Sequence, residues 1–156
     1  LDGKVEAIII PVSRKEQPEW IIRYIKPKYV SFVYTNLGVS KNATKELIKE
    51  YKDSIKFNLT EEDVDQEKLM ITDADDPKHT KRRVKNFIEE YLNKGIEKHK
   101  IFVDTTGGKV TMSIGAFQAA EETEVSSIYI VGKGDKGLID PEVRDSGYPI
   151  YLNEKK

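Results

Sequence analysis

The stretch Ile101-Phe-Val-Asp-Thr-Thr-Gly-Gly-Lys-Val-Thr-Met112 decides the fold. An apolar run ends in an acidic residue, and two threonines and two glycines follow. A helical pattern then extends from Lys109 to about Glu122. This order predicts a strand, a tight turn and a helix N-terminus. Such a turn presents free backbone N–H groups and the positive end of a helix dipole, and paired glycines let an anion approach the backbone closely. The turn is therefore predicted to bind an anionic ligand.

Apolar blocks alternate with amphipathic segments on both sides of this stretch. Strands are also predicted over residues 5–12, 29–34, 54–59, 68–72, 127–131 and 148–152. Helical spacing of apolar residues predicts helices over residues 18–25, 43–51 and 84–92. The alternation predicts one α/β domain over residues 1–156. It should be Rossmann-like, with a largely parallel central sheet and helices on both faces.

The composition narrows the class of partner. The chain has 156 residues, of which 34% are charged, and its net charge is −1. This balance argues against a broad polyanion-binding surface, so we expect no contact with duplex nucleic acid, and any nucleotide site must be local. No cysteine is present, which excludes disulfides and thiolate metal sites. No apolar run approaches the ~18 residues that span a bilayer, and no signal peptide is visible, so a cytoplasmic domain is expected.

Ligands of open α/β sheets bind at the carboxyl ends of the strands. Three polar turns should converge there, namely residues 13–18, 35–38 and 104–109, with residues 132–137 as a fourth wall. That fourth segment has G-x-G-x-x-G spacing, but no helix follows its glycines, so neither a nicotinamide nor a flavin cofactor is expected. A flexible loop that brings Lys133 near a phosphate is the favoured interpretation.

Other motifs have simpler structural explanations. The acidic run at residues 73–76 precedes Pro77 and a long helix, so helix capping is favoured over a metal site. The turn lacks the spacing of a phosphate-binding P-loop, and Ser113 lacks the G-x-S-x-G context of a nucleophile elbow. We therefore predict no metal site, no cofactor and no catalytic residue in this domain.

The segment Asp104-x-Thr106-Gly107-Gly108…Met112 opens an alanine-rich helix and resembles the signature of CRISPR-associated Rossmann fold (CARF) domains. The segment Ile10-Pro-Val-Ser13…Gln17-Pro18 is similar to the first ligand loop of that family. The resemblance spans the chain in element order. It implies a sensor of cyclic oligoadenylates in type III CRISPR antiviral defence, which forms a homodimer with the ring across its twofold axis. Cyclic tetra-adenylate is favoured over the hexa-adenylate.

The resemblance also assigns site residues. Those expected at the rim are Ser13, Arg14, Gln17, Thr35 and Asn36. Those expected to contact phosphate, ribose or base are Thr105, Thr106, Gly107, Gly108, Lys109 and Met112. Asp104 and Lys133 complete the predicted ligand-binding set, with Asp104 either touching ligand or orienting the loop.

One departure from the family pattern bears on activity. The family commonly has Gly-Gly-Thr-Lys or Gly-Gly-Lys-Lys, whereas here Val110 follows Lys109, which places the cation one residue early. This disfavours cleavage of the ring by the domain. Attack by a ring 2′-OH needs only positioning and charge stabilisation, so a ring nuclease stays an alternative.

The resemblance further implies that binding controls a fused effector allosterically. Because residue 1 is leucine, we expect the effector upstream of Leu1, with a membrane-spanning helix as one candidate. The domain itself would meet a membrane only through that segment. A transcriptional regulator is the remaining alternative, although the sequence shows neither a helix-turn-helix nor a basic patch.

Overall fold

A computed structural model describes residues 1–156 and contains a six-stranded sheet. The strands are β1 (Ala7–Pro11), β2 (Tyr29–Val33), β3 (Lys56–Phe57), β4 (Ile101–Asp104), β5 (Ser126–Gly132) and β6 (Gly147–Asn153). Their order is β3-β2-β1-β4-β5-β6; the first five are parallel, and β6 is antiparallel to β5. The predicted Rossmann-like, largely parallel sheet is confirmed.

Helices cover both faces of the sheet, as predicted. They are α1 (Glu16–Tyr24), α2 (Ser40–Tyr51), α3 (Glu61–Asp65), α4 (Pro77–Asn93) and α5 (Val110–Thr123). Helices α1, α2 and α3 share one core with Ile8 and Ile10 of β1, whereas α4 and α5 share the other with Ala7 and Ile9. Successive side chains of a strand point to opposite faces, so the unbroken apolar run of β1 supplies both cores. None of the helices is both long and apolar enough to cross a membrane.

Two predicted strands differ from the structure. Residues 68–72 form turns and bends, because only Ile71 among them is buried and its N–H makes a single bond, to the carbonyl of Tyr34. The alternating stretch 54–59 yields only the two-residue edge strand β3, which lies between the buried Ile55 and the half-buried Asn58. Alternating polarity therefore located the edge of the sheet but overestimated the length of pairing.

Helix α4 packs against α5, the helix that follows the turn at residues 104–109. Asp76 caps α4, since its carboxylate accepts from the N–H of Lys78 at 3.0 Å, and Pro77 occupies the first turn. The capping interpretation of the acidic run is thus confirmed. In α5, a side chain at Gly115 would collide with the carbonyl oxygen of Pro77. Glycine here lets the two helices approach closely and holds the start of α5 in place.

Candidate functional site

The turn after β4, residues 104–109, is called the glycine turn here, and it lies where the strand order reverses. Strands β1 and β4 are adjacent and parallel, but the chain after β1 crosses to β2 on one side, whereas the chain after β4 crosses to β5 on the other. The two loops therefore diverge and leave a crevice at the carboxyl ends of these strands, which is where open α/β sheets bind ligands. Gln17 of α1 contacts Asp104 of β4 directly, so the first and third polar turns converge as predicted.

Two glycines shape the turn for different reasons. Gly107 is buried against the loop after β1, and a Cβ there would overlap the carbonyl oxygen of Pro11 and lie 2.9 Å from Oε1 of Gln17. Gly108 has a φ of +82°, in the left-handed region that side chains disfavour. The sequence therefore needs glycine at both positions, at the first for space and at the second for backbone conformation.

The backbone N–H groups of these two glycines and of the next two residues donate to no acceptor within the protein. Those of Gly107, Gly108, Lys109 and Val110 find no acceptor, and no side chain caps the N-terminus of α5. Four donors at the positive end of a 14-residue helix thus have no partner within the protein. An uncapped helix start needs a partner, either water or a ligand, and an anion satisfies both its donors and its dipole.

Asp104 holds the turn from below and does not reach solvent. Its side chain is fully buried and accepts from Nε2 of Gln17 at 2.5 Å, from Oγ1 of Thr106 at 2.6 Å and from the N–H of Thr106 at 3.3 Å. Burial raises the pKa of this carboxyl to about 7, against the lowering effect of its hydrogen bonds. Of the two roles predicted for Asp104, the observed geometry is that of orienting the loop.

The two threonines fasten the turn to the neighbouring strand. The hydroxyl of Thr105 donates to the carbonyl of Ile128 at 2.9 Å, and Thr105 is buried. The hydroxyl of Thr106 donates to Asp104 and accepts from the N–H of Ile130 at 2.8 Å. Both hydroxyls therefore have partners inside the protein, and Thr106 is the one that also remains partly exposed.

Met112 and Lys109 lie in contrasting surroundings. Met112, expected to contact ligand, is only 1% exposed and packs in the core between α5 and the sheet, so that expectation is wrong in this structure. Met112 lies in the first turn of α5 and packs beneath the turn, since a Cβ on Gly108 would lie 3.3 Å from both its Cβ and its Sδ. Lys109 is half-exposed and its Nζ pairs with Asp75 at 2.9 Å. A ligand would compete with Asp75 for this cation.

The loop residues predicted at the rim divide into two groups. Arg14 and Gln17 line a cavity of about 310 Å³ together with Thr106, and Ser13 is exposed beside them. Beyond β2, Asn36 is exposed, but Thr35 is buried and its hydroxyl accepts from the N–H of Leu37 at 3.1 Å. The structure thus brings the first loop to the glycine turn and gives Thr35 an internal, loop-stabilising contact.

A second, larger groove beside the turn was not predicted. It encloses about 630 Å³ and is mainly apolar, and its lining includes Thr106, Gly108, Val110, Ile114, Phe117 and Tyr129. The spacing of Val110, Ile114 and Phe117 along α5 is the sequence signal that would have found it. Lys133 lies at the same side of the sheet, with its Nζ 4.6 Å from the ring centroid of Tyr148.

The fold has clear relatives among solved structures, although no protein-family model matches the sequence and no curated protein sequence matches it significantly. Its structural neighbours are CARF-domain proteins, so the fold inferred from the signature turn is confirmed.

Three neighbours illustrate the match. Can2 from Sulfobacillus thermosulfidooxidans, solved with cyclic tetra-adenylate, aligns with 80% of this chain and 30% of its own at 13% identity and a TM-score of 0.57. A type III CRISPR defence DNA nuclease activated by cyclic oligoadenylate aligns with 82% of this chain and 19% of its own, at 13% identity and a TM-score of 0.59. Csm6 from Enterococcus italicus, bound to cyclic hexa-2′-fluoro-hexa-dAMP, aligns with 83% of this chain and 34% of its own, at 13% identity and a TM-score of 0.59. This chain thus spans about a third or less of each neighbour.

Proposed function

We propose that this domain is a sensor of a cyclic oligoadenylate, with cyclic tetra-adenylate favoured, in type III CRISPR defence. The observation that carries the proposal is the uncapped start of α5, where four backbone N–H groups have no acceptor beside a glycine turn in the sheet crevice. The phosphodiester groups of a ring supply the anionic acceptors that such a turn needs. Neighbours that share the fold were solved with cyclic tetra-adenylate and a cyclic hexanucleotide analogue, which supports this class of ligand.

Side-chain charge would supplement these donors. Lys109 is exposed at the turn, and Arg14 lies across the crevice with no tighter contact than 3.7 Å to Glu16. Both are able to turn toward a phosphate when one is present, because each is held only by an exposed ion pair. The apolar groove beside the turn offers a surface on which a base can pack.

We further propose that two copies of the chain form the complete site. The outer side of α5 and the adjoining strands β5 and β6 present a continuous set of exposed apolar side chains, namely Val110, Ile114, Tyr129, Tyr148, Ile150 and Leu152. A patch of this kind on a soluble domain marks an interaction surface. Because it adjoins the glycine turn, a twofold contact would bring two turns together around a ring of even symmetry.

The contacts below the turn suggest how binding would reach a fused effector. Asp104 links the turn to Gln17 of α1, and Thr106 links it to Ile130 of β5. A ligand that binds one arrangement of the turn better than another would shift α1 and β5 with it, and with them the pairing of the two copies. Control of an effector by this route is part of the proposal.

Calorimetric titration of the purified domain with cyclic tetra-adenylate, cyclic hexa-adenylate and linear tetra-adenylate tests the proposal. We expect the cyclic tetra-adenylate to bind most tightly, with one ring per two chains. If neither ring binds, the sensor function is wrong. Chromatography of the ligand after incubation distinguishes the alternative activity, because linear products at multiple turnovers would identify a ring nuclease.

Light scattering with and without the ring tests the dimer. The substitution Ile150→Lys places a charge in the proposed interface outside the groove and the turn, so it should yield monomers and weaken ring binding. Lys78→Glu, on the exposed start of α4, is the control and should leave the dimer intact. A monomeric wild-type chain that still binds one ring by itself would overturn the shared site.

A further inference from the structure

The end of the sheet opposite the glycine turn collects lysines from distant parts of the sequence. The segments at this end contain ten lysines and six acidic residues, over residues 1–6, 26–28, 52–56, 94–100, 124–125 and 154–156. Their net charge is +4, whereas that of the whole chain is −1, so the remainder of the molecule is acidic. Six of these lysines make no ion pair, because only Lys26, Lys52, Lys98 and Lys155 are paired. Five of the six, Lys4, Lys28, Lys56, Lys94 and Lys100, are called the lysine face here, and the sixth is Lys156 at the C-terminus. Positive charge is thus concentrated at the amino ends of the parallel strands, and the rest of the molecule has a net negative charge.

Backbone hydrogen bonds line up part of this face. The N–H of Glu6 donates to the carbonyl of Lys100 at 3.0 Å, and the N–H of Lys28 donates to the carbonyl of Glu6 at 2.9 Å. The N–H of Lys56 in turn donates to the carbonyl of Lys28 at 3.0 Å. Three lysines therefore stand in one row across the amino edge of four strands, at spacings set by the sheet.

Aromatic contacts keep the ammonium groups together. The Nζ atoms of Lys28, Lys56 and Lys94 lie 5.5, 5.7 and 5.4 Å from the ring centroid of Tyr29. Attraction to the ring offsets part of the repulsion among three like charges. Beside them lies a cavity of about 410 Å³, whose lining includes four lysines and one acidic residue, namely Lys4, Lys100, Lys155, Lys156 and Glu154. The cations are therefore concentrated both on the edge and in a recess next to it.

We propose that the lysine face docks on a membrane surface that contains anionic phospholipids. The domain itself would make this contact, which differs from the sequence-based expectation that it meets a membrane only through a segment upstream of Leu1. A row of clustered lysines beside a recess fits the diffuse negative potential of such a surface, which attracts each nearby lysine without requiring fixed geometry. Mobile headgroups also tolerate the intervening Glu6. The glycine turn lies at the other end of the same strands, so it would face away from the lipid and remain open to ligand.

Two features favour lipid over nucleic acid as the partner. All five arginines of the chain lie outside these segments, so the face lacks the planar forks that bind nucleic-acid phosphates in bidentate fashion. The ring of Tyr29 is surrounded by lysines, so it offers no free platform on which a base could stack.

Vesicle co-sedimentation of the purified chain tests the proposal. We expect binding to vesicles in which about a third of the phosphatidylcholine is replaced by phosphatidylserine, and none to phosphatidylcholine alone. Raising the salt from about 0.1 to about 0.5 M should remove the binding. No binding to either vesicle, or equal binding to both, would overturn the proposal.

Matched charge variants locate the surface. Lys28→Glu, Lys56→Glu and Lys94→Glu together should lower vesicle partitioning at least about tenfold. The same charge change at Lys41, Lys78 and Arg82, which lie away from this face, should change it far less. Equal losses in both variants would mean that only net charge matters and would contradict a defined face.

Because the substituted lysines contact Tyr29, the melting temperature of the triple Lys→Glu variant is measured to verify that it folds. If it does not fold, the triple Lys→Gln variant replaces it in the vesicle experiment. Binding of a fluorescent RNA oligonucleotide measures the other partner class. The lipid proposal is wrong if the chain binds RNA but not vesicles and if charge reversal of the lysine face abolishes the RNA binding. The surface would then be a nucleic-acid site.

Discussion

At the carboxyl end of the sheet, the groups available to an anion are backbone N–H donors of residues 107–110, held by buried hydrogen bonds beneath them. At the amino end, the available groups are lysine ammoniums on long side chains, gathered by topology and by one aromatic ring. The first arrangement fixes where each donor points, whereas the second fixes only how much charge is present. We therefore expect shape-sensitive recognition at one end and salt-sensitive, geometry-tolerant attraction at the other.

The largest expected effect is that of Gly107→Ala. Its Cβ would overlap the carbonyl of Pro11, so the turn must shift, and affinity for cyclic tetra-adenylate should fall at least about 100-fold. The free energy of unfolding should fall by about 1–3 kcal/mol as well. Calorimetry and urea unfolding measure the two quantities.

Gly3→Ala is the control for this substitution, from the amino end. Gly3 has a φ of +84° with open space around it, so alanine there strains the backbone without touching the turn. Stability should fall slightly and ring affinity should stay constant. Equal losses of affinity in the two variants would break the distinction between the two ends.

The next effect concerns the hydroxyl of Thr106. Thr106→Ala leaves the buried N–H of Ile130 without an acceptor, which should cost about 1–3 kcal/mol in the free energy of unfolding. Thr106→Ser keeps the oxygen and should recover most of that loss, as measured by urea unfolding. If alanine and serine behave alike, the hydroxyl does not hold the turn to β5.

A pH titration of stability tests the buried carboxyl of Asp104. Its pKa rises from an ordinary 3.8 to about 7 through burial, so the folded protein holds this proton more tightly than the unfolded chain does. The carboxyl therefore contributes most to the free energy of unfolding at and below about pH 4. This contribution decreases as the pH rises to about 7 and does not change further above it.

Asp104→Asn has no such proton, so the decrease in stability between about pH 4 and about pH 7 should be smaller than in the wild type. Melting temperatures at several pH values provide the measurement. Parallel curves for the two proteins would show that this carboxyl does not carry the pH dependence.

The smallest expected effect is that of Lys109. It is 50% exposed and already paired with Asp75, so Lys109→Gln should weaken ring binding only about two- to fivefold. Asp75→Asn releases the lysine and should strengthen binding by a similar factor in calorimetry. A loss larger than that of Gly107→Ala would mean that side-chain charge, and not backbone geometry, dominates the carboxyl end as well.

Features that depend on residues close together in the sequence were predictable, whereas features that depend on residues far apart in the sequence were not. The strand, glycine turn and helix at residues 101–123 were predictable because local apolar spacing and glycine conformational preference act within a few residues. The prediction of a strand at residues 68–72 was wrong, because a strand forms only beside a partner with free backbone groups. No local sequence pattern shows whether such a partner is present. Met112 was misassigned because the family motif does not state which side of α5 is buried.

The sequence by itself determined the class of fold, both apolar faces of β1 and the need for glycine near residue 107, since these follow from periodicity and from the size of a side chain. Only the tertiary structure decided that Asp104 is buried and bonded to Gln17, 87 residues away in the chain. It also decided that lysines scattered over a chain of net charge −1 meet at one end of the sheet. Net charge sums over the sequence, whereas electrostatic potential depends on distance, and only folding sets those distances.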